Sequence, residues 1–148
     1  EVSFTMLNGL VHYAIIGHSE RRHIFHESHD DVRDKVAAAV RNDITPILCV
    51  GETQEEYLNG ETKRVLNDQL TTGLSNLTAR EVGSSVIAYE PVWAIGTGKT
   101  ATPEQAQAVH AFIRQRVAAR DAQVAQGLVI LYGGSVKANA GHATEDRG

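Results

Sequence analysis

Four short apolar runs recur along the 148-residue chain, each followed directly by a glycine or a charged residue. Within each run the residues are almost wholly apolar instead of alternating with polar ones, which is typical of strands covered on both faces. The predicted strands are 13–16, 45–50, 86–89 and 128–132. They start roughly 30 to 45 residues apart, the length of a crossover unit that joins parallel strands. The pattern therefore predicts an α/β fold with a parallel sheet.

Between the runs, apolar residues recur every three or four positions, which predicts amphipathic helices. Val32, Val36 and Val40 form one such stripe, and Asp30 or Asp31 is predicted to cap its helix. The other predicted helices are 54–59, 62–74 and 103–123, and 3–10 is predicted as the end of a further helix. Residues 137–148 show no periodicity, and we assign no element to this tail. Residues 1–148 are otherwise interpreted as one partial domain.

Composition and charge narrow the class of partner. Hydrophobic residues make up 42% of the chain, and the formal net charge is -4 without a dense basic run, which argues against nucleic acid. No apolar run approaches the ~20 residues of a membrane span, and the first residues lack a signal-peptide pattern. The single cysteine, Cys49, is consistent with a reducing compartment. We therefore expect a cytoplasmic protein with neither a nucleic-acid nor a membrane partner.

Polar residues with catalytic potential follow the carboxyl ends of the predicted strands. They are His18, Glu52, Glu90 and Ser135. In parallel α/β folds this edge of the sheet is where active sites are built. Glu90 lies between a buried strand and the apolar stretch 92–95, a setting that favours a general base kept away from water. The stretch with its following glycines has the composition of a flap that closes over a substrate, although a loop packed on a neighbour is equally compatible.

His18 and two glycine-containing turns complete the candidate site. If a helix starts at Ser19, its positive end disfavours imidazolium, so His18 stays neutral and donates a hydrogen bond. A histidine that merely caps a turn is the alternative. Gly96 and Ser135 lie in turns whose backbone amides could cradle a phosphate.

Three sharper motifs do not fit. Residues 98–100 resemble the end of a P-loop, but Trp93 stands where that motif requires glycine. The glycines at 96 and 98 match a relaxed dinucleotide fingerprint, yet they lie too far from the preceding strand. The histidines at 23, 26 and 29 spread around a helix and lack an accompanying shell of ligands, so no metal site is expected.

Four segments together resemble the triosephosphate isomerase family. They are residues 13–22 (YAIIGHSERR), 47–52 (ILCVGE), 88–98 (AYEPVWAIGTG) and 132–136 (YGGSV). Their order is similar to that of strands four to seven in the family's (β/α)8 barrel, known as the TIM barrel. The resemblance implies that this chain covers about four strand-helix units, the fourth to the seventh.

The resemblance also implies roles for single residues, and these are the family's established roles. Glu90 is implied to be the base that moves a proton between two carbons, and His18 the neutral electrophile on the carbonyl oxygen. Gly96 and Ser135 are implied to bind the substrate phosphate. Glu20 is implied to be a carboxylate near the histidine.

A lid and a reaction follow from the same resemblance. Trp93, Thr97 and Gly98 are implied to lie in the lid, which Tyr132 holds closed by bonding the backbone near Ala101. The implied reaction is the interconversion of dihydroxyacetone phosphate and glyceraldehyde 3-phosphate in glycolysis and gluconeogenesis, without metal or cofactor. The family forms cytoplasmic homodimers, so a small phosphorylated triose and a second copy of the chain are the expected partners.

The chain also departs from the family pattern. The family's asparagine and catalytic lysine after strand one, and its glycine pair after strand eight, have no counterpart here. We therefore expect a partial chain that is inactive and poorly folded as a monomer, with unprotected strand edges at 13–16 and 128–132. Two alternatives remain open: another phosphate-binding barrel enzyme, and a non-catalytic half-barrel that only associates with partners.

Overall fold

The sheet contains the four predicted parallel strands and one further strand. The computed structural model describes residues 13–95 and 99–132, and the backbone of 144–146. The strands are β1 (Tyr13–Ile16), β2 (Thr45–Val50), β3 (Val86–Tyr89), β4 (Val129–Tyr132) and β5 (Thr144–Asp146). Their order in the sheet is their order in the chain. The first four are parallel, whereas β5 is antiparallel to β4. The predicted α/β architecture is thus confirmed.

Helices fill the crossovers between the parallel strands. They are α1 (Ser19–His23), α2 (His29–Arg41), α3 (Gln54–Leu58), α4 (Thr62–Gly73), α5 (Ala79–Gly83), α6 (Pro103–Ala118) and α7 (Ala122–Gly127). The sequence did not predict α5, which a capping box between Thr78 and Glu81 starts. The single helix predicted over 103–123 is wrong, because Asp121 accepts a hydrogen bond from the Val124 amide and begins a second helix. The predicted helix over 3–10 lies outside the described residues.

The start of α2 also differs from the prediction. Ser28, and not Asp30 or Asp31, is the N-cap residue. Its hydroxyl accepts from the Asp31 amide at 3.1 Å, while the Asp31 carboxylate accepts from the Ser28 amide at 3.0 Å. Asp31 therefore serves as the third helical residue of a capping box, and its hydrogen bonds with Ser28 lower its pKa.

The tail contributes a strand that the sequence did not predict. The backbone of β5 pairs with β4, so that Tyr132 faces Thr144 and Ile130 faces Asp146. The expectation of an unprotected edge at 128–132 is therefore wrong. No pattern in 137–148 indicated this pairing, because three residues are too few for a strand period to be recognised.

One face of the sheet carries the core. Leu48, Ile87 and Ile130 are neighbours in register and have no exposed surface. Side chains of this size each contribute about 1.5–3 kcal/mol when fully buried. On the opposite face of β1, Tyr13 and Ile15 are about half exposed. Among the described residues, no helix is both long and apolar enough to cross a bilayer.

Candidate active site

His18 lies where the chain turns away from the end of β1. Gly17 has a φ of 78°, a left-handed conformation that suits glycine, and α1 begins two residues later. His18 is the N-cap residue of α1, and its Nδ1 accepts a hydrogen bond from the Glu20 backbone amide at 3.2 Å. Because Nδ1 is the acceptor, the ring proton of a neutral imidazole is on Nε2. The short helix anticipated at Ser19 is therefore present, and it fixes the tautomer of the histidine.

Glu90 follows β3 and faces this nitrogen. Glu90 is 7% exposed, and its Oε1 lies 3.1 Å from His18 Nε2. The two groups come from strands separated in the sheet by β2, and the parallel register brings their carboxyl ends to one edge. A carboxylate that can accept a proton thus lies beside an imidazole that can donate one. General acid–base catalysis on a small molecule needs at least one group of each kind.

Main-chain hydrogen bonds hold Glu90 against the end of β2. The Glu90 amide donates to the Val50 carbonyl at 2.8 Å, and the Val92 amide donates to the Glu52 carbonyl at 2.9 Å. Between these bonds Gly51 approaches so closely that a Cβ there would lie 1.9 Å from the Glu90 carbonyl oxygen. Only glycine fits at this contact, so the backbones of the two strand ends are in direct van der Waals contact.

Glu52 lies in a closed network and not at the mouth of the site. It is fully buried, and its carboxylate accepts from the Thr62 hydroxyl at 2.6 Å and from the Tyr89 hydroxyl at 2.9 Å. Burial raises the pKa of Tyr89, and the neighbouring charge of Glu52 adds to this. The phenol therefore remains a donor. The sequence predicted that Glu52 lies at this edge of the sheet but gave it no role. In the structure its hydrogen bonds with Tyr89 and Thr62 connect the ends of β2 and β3 with the start of α4.

Arg22 is a residue that the sequence analysis missed. Its guanidinium donates to the Gly17 carbonyl at 2.8 Å and to the Cys49 carbonyl at 3.2 Å, and it also contacts His29 Nδ1. Burial lowers the pKa of Arg22, and electrostatic interactions with Cys49 and Glu27 partly oppose this. Arg22 thereby ties together the ends of β1 and β2 beside His18. The sequence showed that Arg22 belongs to one of the four family motifs, but it did not show which backbone groups the side chain bonds.

The segment after Glu90 is compact and apolar. Residues Val92–Ala94 form a 3-10 helix, and the Trp93 ring packs on the Tyr57 ring with centroids 4.9 Å apart. Further along, the Tyr132 hydroxyl accepts a hydrogen bond from the Ala101 amide at 3.1 Å. This is the contact near Ala101 that the resemblance implied.

Several predicted site residues cannot be placed. Gly96, Thr97, Gly98 and Ser135 lie outside the described residues. The contact between Glu20 and the histidine ring is made by the Glu20 backbone, and its side chain is exposed. Within residues 13–95 and 99–132, no group of three or more His, Cys, Asp or Glu side chains is arranged to hold a metal ion.

Fold and site together define a parallel α/β protein with a histidine–carboxylate pair at the carboxyl edge of its sheet. The family model described as triosephosphate isomerase matches residues 1–145, and the chain belongs to that family. This confirms the family predicted from the four sequence motifs, and the four parallel strands with their helices are consistent with part of its (β/α)8 barrel.

Curated relatives support the same assignment. The triosephosphate isomerase of Ralstonia nicotianae is 56% identical over 138 residues, which are 93% of this chain and 56% of the relative. That of Pseudoalteromonas translucida is 55% identical over 124 residues, 84% of this chain and 50% of the relative. That of Chlamydia trachomatis is 51% identical over 141 residues, 94% of this chain and 51% of the relative. The chain thus spans about half the length of the curated relatives it matches.

Proposed function

We propose that a full-length chain containing this segment is a triosephosphate isomerase, with Glu90 as base and His18 as electrophile. The observation that carries the proposal is the 3.1 Å approach of His18 Nε2 to Glu90 Oε1, with Nδ1 held as an acceptor at the start of α1. It is supported by relatives that bear this name over most of the chain.

Proton transfer in the proposed reaction requires no other reactant. The Glu90 carboxylate takes a proton from C1 of dihydroxyacetone phosphate, and the electrons of that C–H bond form the carbon–carbon double bond of an enediolate. The same carboxyl then returns the proton to C2, while the proton of the C1 hydroxyl is replaced by one on the C2 oxygen, and the product is glyceraldehyde 3-phosphate. Because substrate and product are isomers, atoms and electrons balance without metal or cofactor.

His18 stabilises the charge that develops on oxygen. Its Nε2–H donates to the carbonyl oxygen at C2 and passes its proton to that oxygen in the enediolate, and Nε2 regains a proton from the hydroxyl at C1. In the structure Nε2 lies 3.1 Å from Glu90 Oε1, so the two side chains have to separate for the substrate to lie between them. Gly96 and Ser135 are proposed to donate backbone amides to the phosphate.

The lid is part of the proposal. Trp93, Thr97 and Gly98 are proposed to belong to a flap that excludes water from the enediolate, with Tyr132 holding its far end through Ala101. Support comes from the Tyr132–Ala101 hydrogen bond and from the apolar character of Val92–Ala94. Glu20 is proposed to act beside the histidine through its backbone amide.

A homodimer in the cytoplasm is the proposed state of the full-length protein. Ile24 and Phe25, which follow α1, expose more than half of their surface, and apolar patches of this kind favour association. Cys49, the one cysteine of these 148 residues, is buried and cannot form a disulfide within them, which is compatible with a reducing compartment.

Replacement of the two side chains in a full-length chain tests the proposal. Glu90→Gln is expected to lower kcat by about 100- to 10,000-fold, because an amide cannot take the proton. His18→Gln is expected to be less severe, since it retains a donor for the carbonyl oxygen. Glu55→Gln, an exposed residue of α3, is the matched control and should leave kcat unchanged.

Two results would refute the assignment. A Glu90→Gln enzyme with a turnover within a factor of a few of the parent excludes Glu90 as the base. Absence of isomerase activity in the unmutated full-length chain would favour another barrel enzyme or a non-catalytic half-barrel. The 148-residue segment alone is the negative control, and we expect it to be inactive.

A further inference from the structure

Gln69 is a polar residue on the buried stripe of α4. The other buried residues of this helix are Val65, Leu66, Leu70 and Gly73. Gln69 itself is only 5% exposed. A buried primary amide costs free energy unless its polar atoms are paired, so its partners indicate why it is there. Both of its polar atoms bond to one residue: Oε1 accepts from the Gly51 amide at 2.9 Å, and Nε2 donates to the Gly51 carbonyl at 3.3 Å.

Gly51 needs these bonds because its neighbouring strand has ended. In a parallel sheet, successive residues of a central strand pair with neighbours on opposite sides. Val50 and Glu52 bond to the β3 side, so Gly51 faces the β1 side. There β1 pairs only as far as Ile16 with Leu48, and the chain has turned into α1. The side-chain amide of Gln69 supplies the donor and acceptor that another strand residue would have supplied.

Gly51 in turn supports the main chain of Glu90. Its Cα packs against the Glu90 carbonyl, and hydrogen bonds from Glu90 and Val92 to residues 50 and 52 lie on either side of this contact. The segment 50–52 is therefore held on one side by Gln69 and holds Glu90 on the other. A displacement of Gly51 would therefore also displace the backbone of Glu90.

We propose that Gln69 is a positioning residue for Glu90, acting through Gly51 and not by touching the substrate. This claim rests on the proposed isomerase function. Proton transfer depends steeply on the distance between base and carbon, and misplacement by about 1 Å can cost on the order of 100-fold in rate. Phosphate binding is assigned to other turns, so loss of Gln69 should affect the chemical step more than substrate affinity.

Gln69→Met in a full-length chain is the principal test, because methionine has similar length and favours helix but can neither accept from nor donate to Gly51 as the amide does. The expected result is a fall in kcat of roughly 10- to 100-fold with KM changed less than about threefold. The primary deuterium isotope effect on dihydroxyacetone phosphate labelled at C1 should rise, since proton transfer becomes slower than product release. Gln69→Glu keeps an acceptor for the Gly51 amide, and its kcat should lie between those of Gln69→Met and the parent.

Val65→Ala is the matched control. It removes buried methyl groups from the same helix and leaves both Gln69 hydrogen bonds in place. It should lower the unfolding temperature without changing kcat or the isotope effect. A Gln69→Met enzyme with parental kcat and isotope effect overturns the proposal. A Val65→Ala enzyme that is destabilised as much as Gln69→Met and loses as much kcat also overturns the proposal.

Failure of the proposed function gives a different result. If the unmutated full-length chain has no isomerase activity, the function is wrong and amide hydrogen exchange decides the positioning claim. Faster exchange of the Glu90 and Val92 amides in Gln69→Met, but not in Val65→Ala, supports the claim. Equal exchange of these two amides in both variants overturns it.

Discussion

The two sides of the β2 end are held by different means. Towards β3, hydrogen bonds between backbone groups continue past the strands, from Glu90 to Val50 and from Val92 to Glu52. Towards β1, the neighbouring chain has left the sheet, and side chains of Arg22 and Gln69 bond the backbone groups that have no strand partner. The first side depends on backbone geometry, whereas the second depends on which side chains are present.

This difference has a physical cause. By turning away at Gly17, the chain places His18 at the start of α1, where a backbone amide fixes its tautomer. The same turn deprives Cys49 and Gly51 of strand partners, and buried backbone groups without partners cost about 1–3 kcal/mol each. The position of His18 at a helix start thus leaves backbone groups of β2 without strand partners, and Arg22 and Gln69 supply the missing hydrogen bonds.

Gly51→Ala should have the largest effect, because it disturbs both sides at once. The added Cβ would lie 1.9 Å from the Glu90 oxygen and 2.6 Å from the Glu90 carbonyl carbon, and neither can move without breaking the backbone contacts. We expect a loss of about 3 kcal/mol or more in the free energy of unfolding, measured by urea denaturation of a full-length chain, with a large fall in kcat.

Gly127→Ala is the control for this change. A Cβ at Gly127 meets nothing within 4 Å, so the substitution should leave stability within about 1 kcal/mol of the parent. If Gly51→Ala is as harmless as Gly127→Ala, the close contact between the strand ends does not exist in solution.

Arg22→Met should be the next largest and tests the β1 side alone. It leaves the carbonyls of Gly17 and Cys49 without the guanidinium, and we expect a loss of about 2–4 kcal/mol in the free energy of unfolding. Arg33→Met is the control, because within the described part of the chain Arg33 forms ion pairs with the exposed carboxylates of Asp30 and Asp34. Such surface pairs contribute about 0.2–1 kcal/mol. Equal losses in the two variants would contradict the role given to Arg22.

The elements that could be predicted from the sequence are those set by local pattern. Wholly apolar runs identified the parallel strands, and Thr102 before proline identified the start of α6, where a capping box is present. The four motifs identified the family. The positions of His18 and Glu90 after two parallel strands predicted that both lie at the carboxyl edge of the sheet. The cap of α2 was predicted wrongly because Ser28, Asp30 and Asp31 are all good caps, and the reciprocal hydrogen bonds between Ser28 and Asp31 are what distinguish Ser28 in the structure.

The supporting contacts could not be predicted, because they depend on register between distant segments. Gln69 bonds Gly51 only because β1 ends at Ile16 while β2 runs on, and no local pattern gives the relative length of two strands. One signal was present: Gln69 is the single polar side chain among the buried residues of α4. A polar residue on an otherwise apolar stripe is worth examining as a buried hydrogen-bonding group.

Tyr89→Phe should have the smallest effect of the three and tests the β3 side. It removes a hydroxyl that donates to the fully buried Glu52, while the Thr62 hydroxyl bond remains. We expect a loss of about 1–2 kcal/mol in the free energy of unfolding at neutral pH. Tyr13→Phe is the control, since Tyr13 is 56% exposed and should tolerate the change.

The pH dependence of the free energy of unfolding distinguishes the buried Tyr89 phenol from a solvent-exposed phenol. Burial beside Glu52 raises the pKa of Tyr89, whereas the unfolded chain ionises this group near its usual value of about 10. Above that pH the unfolded state binds fewer protons than the folded state, so stability falls as pH rises. The parent should therefore lose about 0.8 kcal/mol between pH 8 and pH 10.5 beyond the loss seen in Tyr89→Phe. Parallel curves for the two proteins in urea titrations over this range would show that Tyr89 is not desolvated as the structure has it.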